Sequence, residues 1–364
     1  MRFDERGTMR FGVSGGSRMA MALAGACVAM AAVAVAPAAA QERYALSGTK
    51  VAVYNLAGKA RVVRGSGGDV VVSVTRHGDD ANRLEVRTDE VRGRMTLRVI
   101  YPGDQVVYGE MGRHSSTSVR IRSDGTFGGR IHRGHRIRIR GSGRGVHAWA
   151  DLVIEVPEGR DLGLHVAAGD VEATDLDGRF LMATGSGTIA ATQVTGELRL
   201  DTGSGSVTAE RIRGSLNVDT GSGGVTTSDV SGPEVRVDTG SGSVRGDGVV
   251  ADRLRVDTGS GSIRLGAVSV PDIYLDTGSG SVEMELRTDV QRLDVDTGSG
   301  SVTIRAPADL GAEVDIETGS GGIDVDFPVQ VRSVRRDHME GVIGDGRGTI
   351  RVDTGSGGVR LIRN

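Results

Sequence analysis

The sequence predicts an all-β protein: a parallel β-helix or β-solenoid whose coils repeat about every 18–20 positions, with an N-terminal β cap region. Three observations carry this. Thr-Gly-Ser-Gly occurs nine times, beginning at Thr184, Thr202, Thr220, Thr239, Thr258, Thr277, Thr297, Thr318 and Thr354, at a nearly constant spacing that roughly doubles only between the last two. Between copies, apolar and polar residues alternate with the period of two that a strand requires. With 58 glycines and 3% aromatic residues, almost no segment spaces its apolar residues three and four apart, so helices are scarce. A unit this short cannot bury an apolar face alone, and neighbouring units must stack on one shared core.

Residues 1–40 read as a signal peptide. Arg2, Arg10 and Arg18 give a basic start, an apolar run spans residues 19–35, and Ala38-Ala39-Ala40 before Gln41 has the form of a cleavage site. A membrane anchor is the alternative reading; the run is Ala-rich, Pro37 follows it, and no basic stop-transfer cluster comes next. The only cysteine, Cys27, lies in Ala24-Gly25-Ala26-Cys27, which lacks the large aliphatic residue of a lipidation box. The expected mature chain is periplasmic, secreted or at the cell surface, without a transmembrane span, and stabilised by stacking rather than by disulfides.

Residues 41–156 form an N-terminal β region, with alternating strands expected at 50–54, 69–75, 95–99 and 148–156. It either caps the solenoid or begins it with degenerate coils, because an open end would expose an unpaired strand edge. Within it, residues 113–144 hold nine arginines and one acid, Asp124, and read as a hairpin-like insertion. Arg120 and Arg122 alternate with Val119 and Ile121, and Arg136, Arg138 and Arg140 with Ile137 and Ile139. This is a solvated strand face or a basic patch for anionic lipid headgroups or acidic glycans. His132 and His135 have no third ligand at useful spacing, so no metal centre is expected.

Residues 157–364 are the repeat domain. Leu198, Leu200 and Thr202 point inward while Arg199 and Asp201 point outward; Val235, Val237 and Thr239 likewise oppose Arg236 and Asp238, and Leu254, Val256 and Thr258 oppose Arg255 and Asp257. After each bend, Val207, Val225, Val244, Ile263, Val282, Val302, Ile323 and Val359 form a second buried stack. Glycine suits the bend through its access to positive φ, and Gly178, Gly196, Gly214, Gly232 and Gly311 mark a second corner. The final gap, from Thr318 to Thr354, equals two coils, with residues 332–344 expected to loop out. A left-handed hexapeptide helix is the rival architecture, but its six-residue aliphatic period is missing.

Asp-Thr-Gly-Ser occurs seven times and resembles the motif of aspartic proteases. That chemistry needs one pair of carboxylates facing across a cleft. Copies on successive coils instead give a ladder of Asp201, Asp219, Asp238, Asp257, Asp276 and Asp296. Neighbouring rungs about 4.8 Å apart repel by about 1 kcal/mol in water before screening. Arg199, Arg236 and Arg255, two residues earlier on the same face, could offset this. The ladder reads as a solvated face or as an exposed binding face; calcium would need a nonapeptide pattern that this repeat lacks.

No phosphate loop or nucleophile elbow is present, so the chain reads as noncatalytic and without a cofactor. A β-helix polysaccharide lyase is the enzyme alternative, weakened by the repeat region having only Phe180, Tyr274 and Phe327 as aromatics. A net charge of −3, with arginine supplying 42 of 44 basic residues, indicates no nucleic-acid partner.

Glu155-Val156-Pro157-Glu158-Gly159, then Val166-Ala167-Ala168-Gly169-Asp170-Val171, the stacked Thr-Gly-Ser-Gly coils, and Gly344-Asp345-Gly346-Arg347-Gly348 follow one another in order. Over residues 50–364 this resembles a bacterial β-strand-repeat family of unknown function regarded as candidate adhesins. The resemblance implies an exported β-solenoid with no catalytic residues to transfer. The expected function is therefore adhesin-like binding of a surface or glycan partner. A structural or assembly role in the envelope, with end-to-end self-association, is the closest alternative.

Overall fold

A computed structural model describes residues 41–129 and 133–364. The signal-peptide and Cys27 readings, and His132, lie outside the described residues. The chain is all-β, and each coil of the solenoid consists of two strand segments joined by the Thr-Gly-Ser-Gly bend. The segment before the bend stacks on its counterparts in one face of the solenoid. The segment after it stacks in the other.

Register between coils is parallel and follows the repeat. Leu198, Leu200, Asp201 and Thr202 of Ile189–Thr202 lie opposite Leu216, Val218, Asp219 and Thr220 of Val207–Thr220, and the next coils continue the alignment. Leu198, Leu200, Leu216 and Val218 are buried, as are Val207, Val225, Val244, Ile263, Val282, Val302 and Val359. Ile323 is only half-buried, because Ile323–Val325 is the last rung of its face and pairs on one side alone.

Apart from Gly187, at φ 151°, the bend owes its glycines to crowding rather than to positive φ. A Cβ on Gly203 would lie 2.5 Å from the Gly185 carbonyl oxygen, and one on Gly205 would lie 1.6 Å from that of Gly187. Closely stacked backbones leave no room for a methyl group. Threonine completes the rung: Thr258 Oγ1 donates to the Gly242 carbonyl at 2.9 Å and accepts from the Gly261 N–H at 3.1 Å. Thr277 and Thr297 repeat both bonds one and two coils further on, which satisfies polar groups that the fold buries.

At the second corner Gly178, Gly196 and Gly214 take the positive φ expected of them, at 145°, 108° and 137°, and a second column of left-handed residues lies three positions earlier. Asp175, Gln193, Arg211, Asp229 and Ala267 occupy the left-handed region, with φ between 51° and 57°. Register aligns them in one column, with Gly248 among them. The turn within each coil thus uses strained non-glycine residues as well as corner glycines.

Both ends depart from sequence order. Lys50–Ala57 lies between Arg160–Ala168 and Arg94–Ile100, and Ala60–Arg64 between Val171–Thr184 and Trp149–Val156. At the other end Gly348–Thr354 inserts between Arg292–Thr297 and Ala312–Thr318. The spatial order of bends is therefore Thr297, Thr354, Thr318. Residues 332–344 do not loop out: His338–Ile343 pairs antiparallel with Ala312–Thr318, and Val329–Val334 pairs antiparallel outside it. Antiparallel strands cover the other end as well, where Glu85–Val91 pairs with Arg94–Ile100 and Gln41–Leu46 with Val70–His77.

Candidate functional site

The outward residues of the first face form the predicted ladder. Asp201, Asp219, Asp238, Asp257, Asp276 and Asp296 are aligned rung by rung. The inserted coil extends the column beyond the sequence reading, through Asp353 and Glu317 to His338. Asp353 carries the repeat motif and Glu317 fills its aspartate slot, so both had a signal. His338 had none, because it reaches the column through an antiparallel strand.

Arginines offset part of the repulsion. Arg236 lies 3.6 Å from Asp238 and Arg255 lies 3.7 Å from Asp257, while the Arg255 guanidinium stacks 4.2 Å from the centre of the Tyr274 ring. Tyr274 in turn donates to Asp276 at 3.0 Å. Arg199 makes no such pair with Asp201 among the described residues. Burial and then Asp219 hold Asp201 above the usual carboxylate range. Burial, then Asp276 and Asp238, do the same for Asp257, against the pull of Arg255 and Arg236.

This direction fixes a pH prediction. A carboxyl whose folded pKa is raised binds its proton more tightly in the native state, so its contribution favours folding at low pH and is lost as pH rises through the folded value. Asp257→Asn is therefore expected to melt higher than the wild type at pH 7. The difference should shrink as pH falls through about 4 and vanish below about pH 3, where aspartate is neutral in both states. Thermal melts of both proteins across that range check this, and a pH-independent difference would refute it.

The Arg-rich segment is a separate four-stranded sheet in the order Val146–His147, Gln105–Val107, His135–Arg140, Ser116–Ile121. Its edge pair, Ser116–Ile121 with His135–Arg140, is the antiparallel hairpin expected from sequence, and it sets Arg120 directly opposite Arg136 and Ser118 opposite Arg138. Ile137 and Ile139 are buried while Arg120, Arg136 and Arg138 are exposed. Arg140 is half-buried, and Arg122 turns to the Thr126 hydroxyl and Gly128 carbonyl at 3.3 and 2.8 Å. Among the described residues no carboxylate pairs with Arg120, Arg136 or Arg138. Two like charges held opposite each other are unfavourable unless something neutralises them.

Between this sheet and the first coils lies a cleft of about 480 Å³ lined by Thr117, Val119, Phe127, His165, Arg199 and Asp201, among others. Of the predicted site residues it holds Arg199 and Asp201 of the ladder, while the arginines of the basic patch stand outside its lining. His165 stacks on Tyr54 at 4.6 Å with Phe127 edge-on. Burial, then Arg122 and Arg94, push its pKa down to about 4, so the ring is neutral at pH 7. Sequence spacing could not reveal this cleft, since its walls come from segments far apart in the chain. Among the described residues no helix is long and apolar enough to cross a membrane.

No curated protein matches the chain. Among solved structures, a "putative cell adhesion protein" from Clostridium sporogenes is 10% identical, covering 89% of this chain and 99% of its own, with a TM-score of 0.20. A "putative adhesin" from Parabacteroides distasonis is 11% identical over 89% and 98% of the two chains, with a TM-score of 0.39. Those names describe those proteins. A family match does cover residues 147–361, described as Toastrack DUF4097. Because that match runs through every Thr-Gly-Ser-Gly rung from Thr184 to Thr354, the chain belongs to the Toastrack DUF4097 family.

Proposed function

We propose that the protein is a noncatalytic, exported envelope protein that binds an acidic glycan along the arginine face of its inserted sheet. The observation that carries this is that, among the described residues, Arg120, Arg136 and Arg138 stand exposed without carboxylate partners, whereas Arg236 and Arg255 on the ladder each have one. A ligand carboxylate or sulfate supplies the missing charge, and guanidinium is suited to pair with it in a planar, two-point manner. The ladder is the wrong sign for such a ligand and serves to keep the scaffold soluble. Export rests on the pattern of residues 1–40, and places the site in the periplasm or at the cell surface.

Retention on immobilised polygalacturonate and on neutral dextran, with chain length measured in the same samples, tests the reading. Saturable retention on the acidic polymer alone is expected, weakened at least tenfold in R120A/R136A/R138A with an unchanged melting temperature. Equal retention by that variant would sink the assignment. Shortened chains would make the protein a lyase, and end-to-end oligomers without retention would make it an assembly component.

A further inference from the structure

The solenoid's last rungs gather two carboxylates and an imidazole on one outer face. In Ala312–Thr318, Asp315 and Glu317 lie two residues apart, flanking inward-facing Ile316. The antiparallel cap strand His338–Ile343 sets His338 directly opposite Glu317 and Glu340 opposite Asp315. His338 Nδ1 is 3.3 Å from Glu317 Oε1 and 3.8 Å from Asp315 Oδ1. Among the described residues this is the only group of three or more His, Cys, Asp or Glu with one ligand atom from each lying within 4.8 Å of the others.

Two of those atoms are anomalous. Asp315 Oδ1 and His338 Nδ1 are both shut off from solvent, and neither has a hydrogen-bond partner. Orphaned polar atoms aimed at a common point leave a free-energy cost that something placed between them would remove. The nearest cation does not serve, since Arg351 Nε approaches Asp315 on its other oxygen, at 3.6 Å. Arg332 is engaged by Glu313 at 2.8 Å and by Glu340 at 3.8 Å.

We infer that Asp315, Glu317 and His338 form a binding site for one divalent transition-metal ion of the zinc class, which clips the cap strand to the end of the solenoid. Donors on a tetrahedral ion with bonds of about 2.1 Å stand about 3.4 Å apart, close to the two separations present. Two carboxylates and a neutral imidazole carry the charge that a divalent cation cancels. The imidazole nitrogen selects zinc and its neighbours over calcium or magnesium, which prefer oxygen alone. A basin of about 640 Å³, lined by Glu317, His338, Asp337, Glu340, Asp353 and Arg335 among others, opens onto the site. It gives an ion a path in and gives water the remaining coordination positions. The ligands come from two strands well separated in sequence, one carrying Asp315 and Glu317 and the other His338, which is why no motif spacing announced them.

The test is calorimetric titration of tag-free, chelator-stripped protein with zinc chloride alone, alongside melting curves with and without zinc. One equivalent is expected to bind with a Kd below about 10 μM and to raise the melting temperature. His338→Gln should weaken binding at least a hundredfold while its metal-free melt matches the wild type. Glu317→Gln, at a largely exposed side chain, gives the same reading should the histidine variant not fold. No saturable zinc binding would overturn the site. Undiminished binding in both variants would overturn it as well, placing the ion on the aspartate ladder, as would displacement of zinc by millimolar calcium.

Discussion

Gly261→Ala is expected to lower the melting temperature by roughly 10 °C, although it adds one methyl group to a surface bend. The added Cβ would sit 1.9 Å from the Gly242 carbonyl oxygen and 2.4 Å from its carbon, so the two coils must separate or shear. Either movement breaks the bond from Thr258 Oγ1 to the Gly242 carbonyl, and it strains the one from Thr277 Oγ1 to the Gly261 carbonyl on the other side. Overpacking with broken buried hydrogen bonds belongs to the costly tail of single substitutions, about 4 kcal/mol, and each kcal/mol shifts a domain of this size by about 2–4 °C. Ser260→Ala, one residue earlier and exposed, is the control and should move the midpoint by less than about 2 °C. Calorimetry on both variants decides the matter. A Gly261→Ala protein that melts with the wild type would mean the coils are not held at this spacing.

The inward residues were legible because strand alternation is a local property. Leu198, Leu200, Val207 and Val225 can be assigned to a core from their neighbours alone, and each is buried. The meaning of the glycines was not legible in the same way. Gly205 is required by the Gly187 carbonyl in the coil beneath it, and no local rule reports a distance between residues a whole coil apart. The left-handed column at Asp175, Gln193, Arg211 and Asp229 was hidden for the opposite reason, since these residue types do not announce positive φ as glycine does. Of the site, the alternation of Arg136 and Arg138 with Ile137 and Ile139 was readable. The cleft and the placing of His338 depend on pairings between distant strands.

Chain order proved the least legible feature, and it leads to the other large effect. Deleting residues 348–364 ought to be mild if the last coil in sequence were the last in space, because a solenoid's terminal unit touches one neighbour only. Here that coil has two neighbours: Gly348–Thr354 pairs with Arg292–Thr297 and Ala312–Thr318, and Val359–Arg363 with Val302–Ala306 and Ile323–Val325. Ile350, Val352, Val359 and Leu361 are each at most 1% exposed. At about 2 kcal/mol per buried aliphatic side chain, their removal costs about 8 kcal/mol as an upper estimate. The truncated protein is expected to keep residues 41–305 resistant to protease while residues 306–347 are cut rapidly. Deleting residues 240–258 instead removes one whole interior unit and joins Thr239 to Gly259 in register, so that a shorter solenoid with both caps should remain folded. Limited proteolysis with mass spectrometry on the two deletions reads the difference directly. Equal protection of residues 306–347 in both would show that the strand Ala312–Thr318 can dock without the inserted coil, and that the long final gap from Thr318 to Thr354 serves some purpose other than to bring that coil inside.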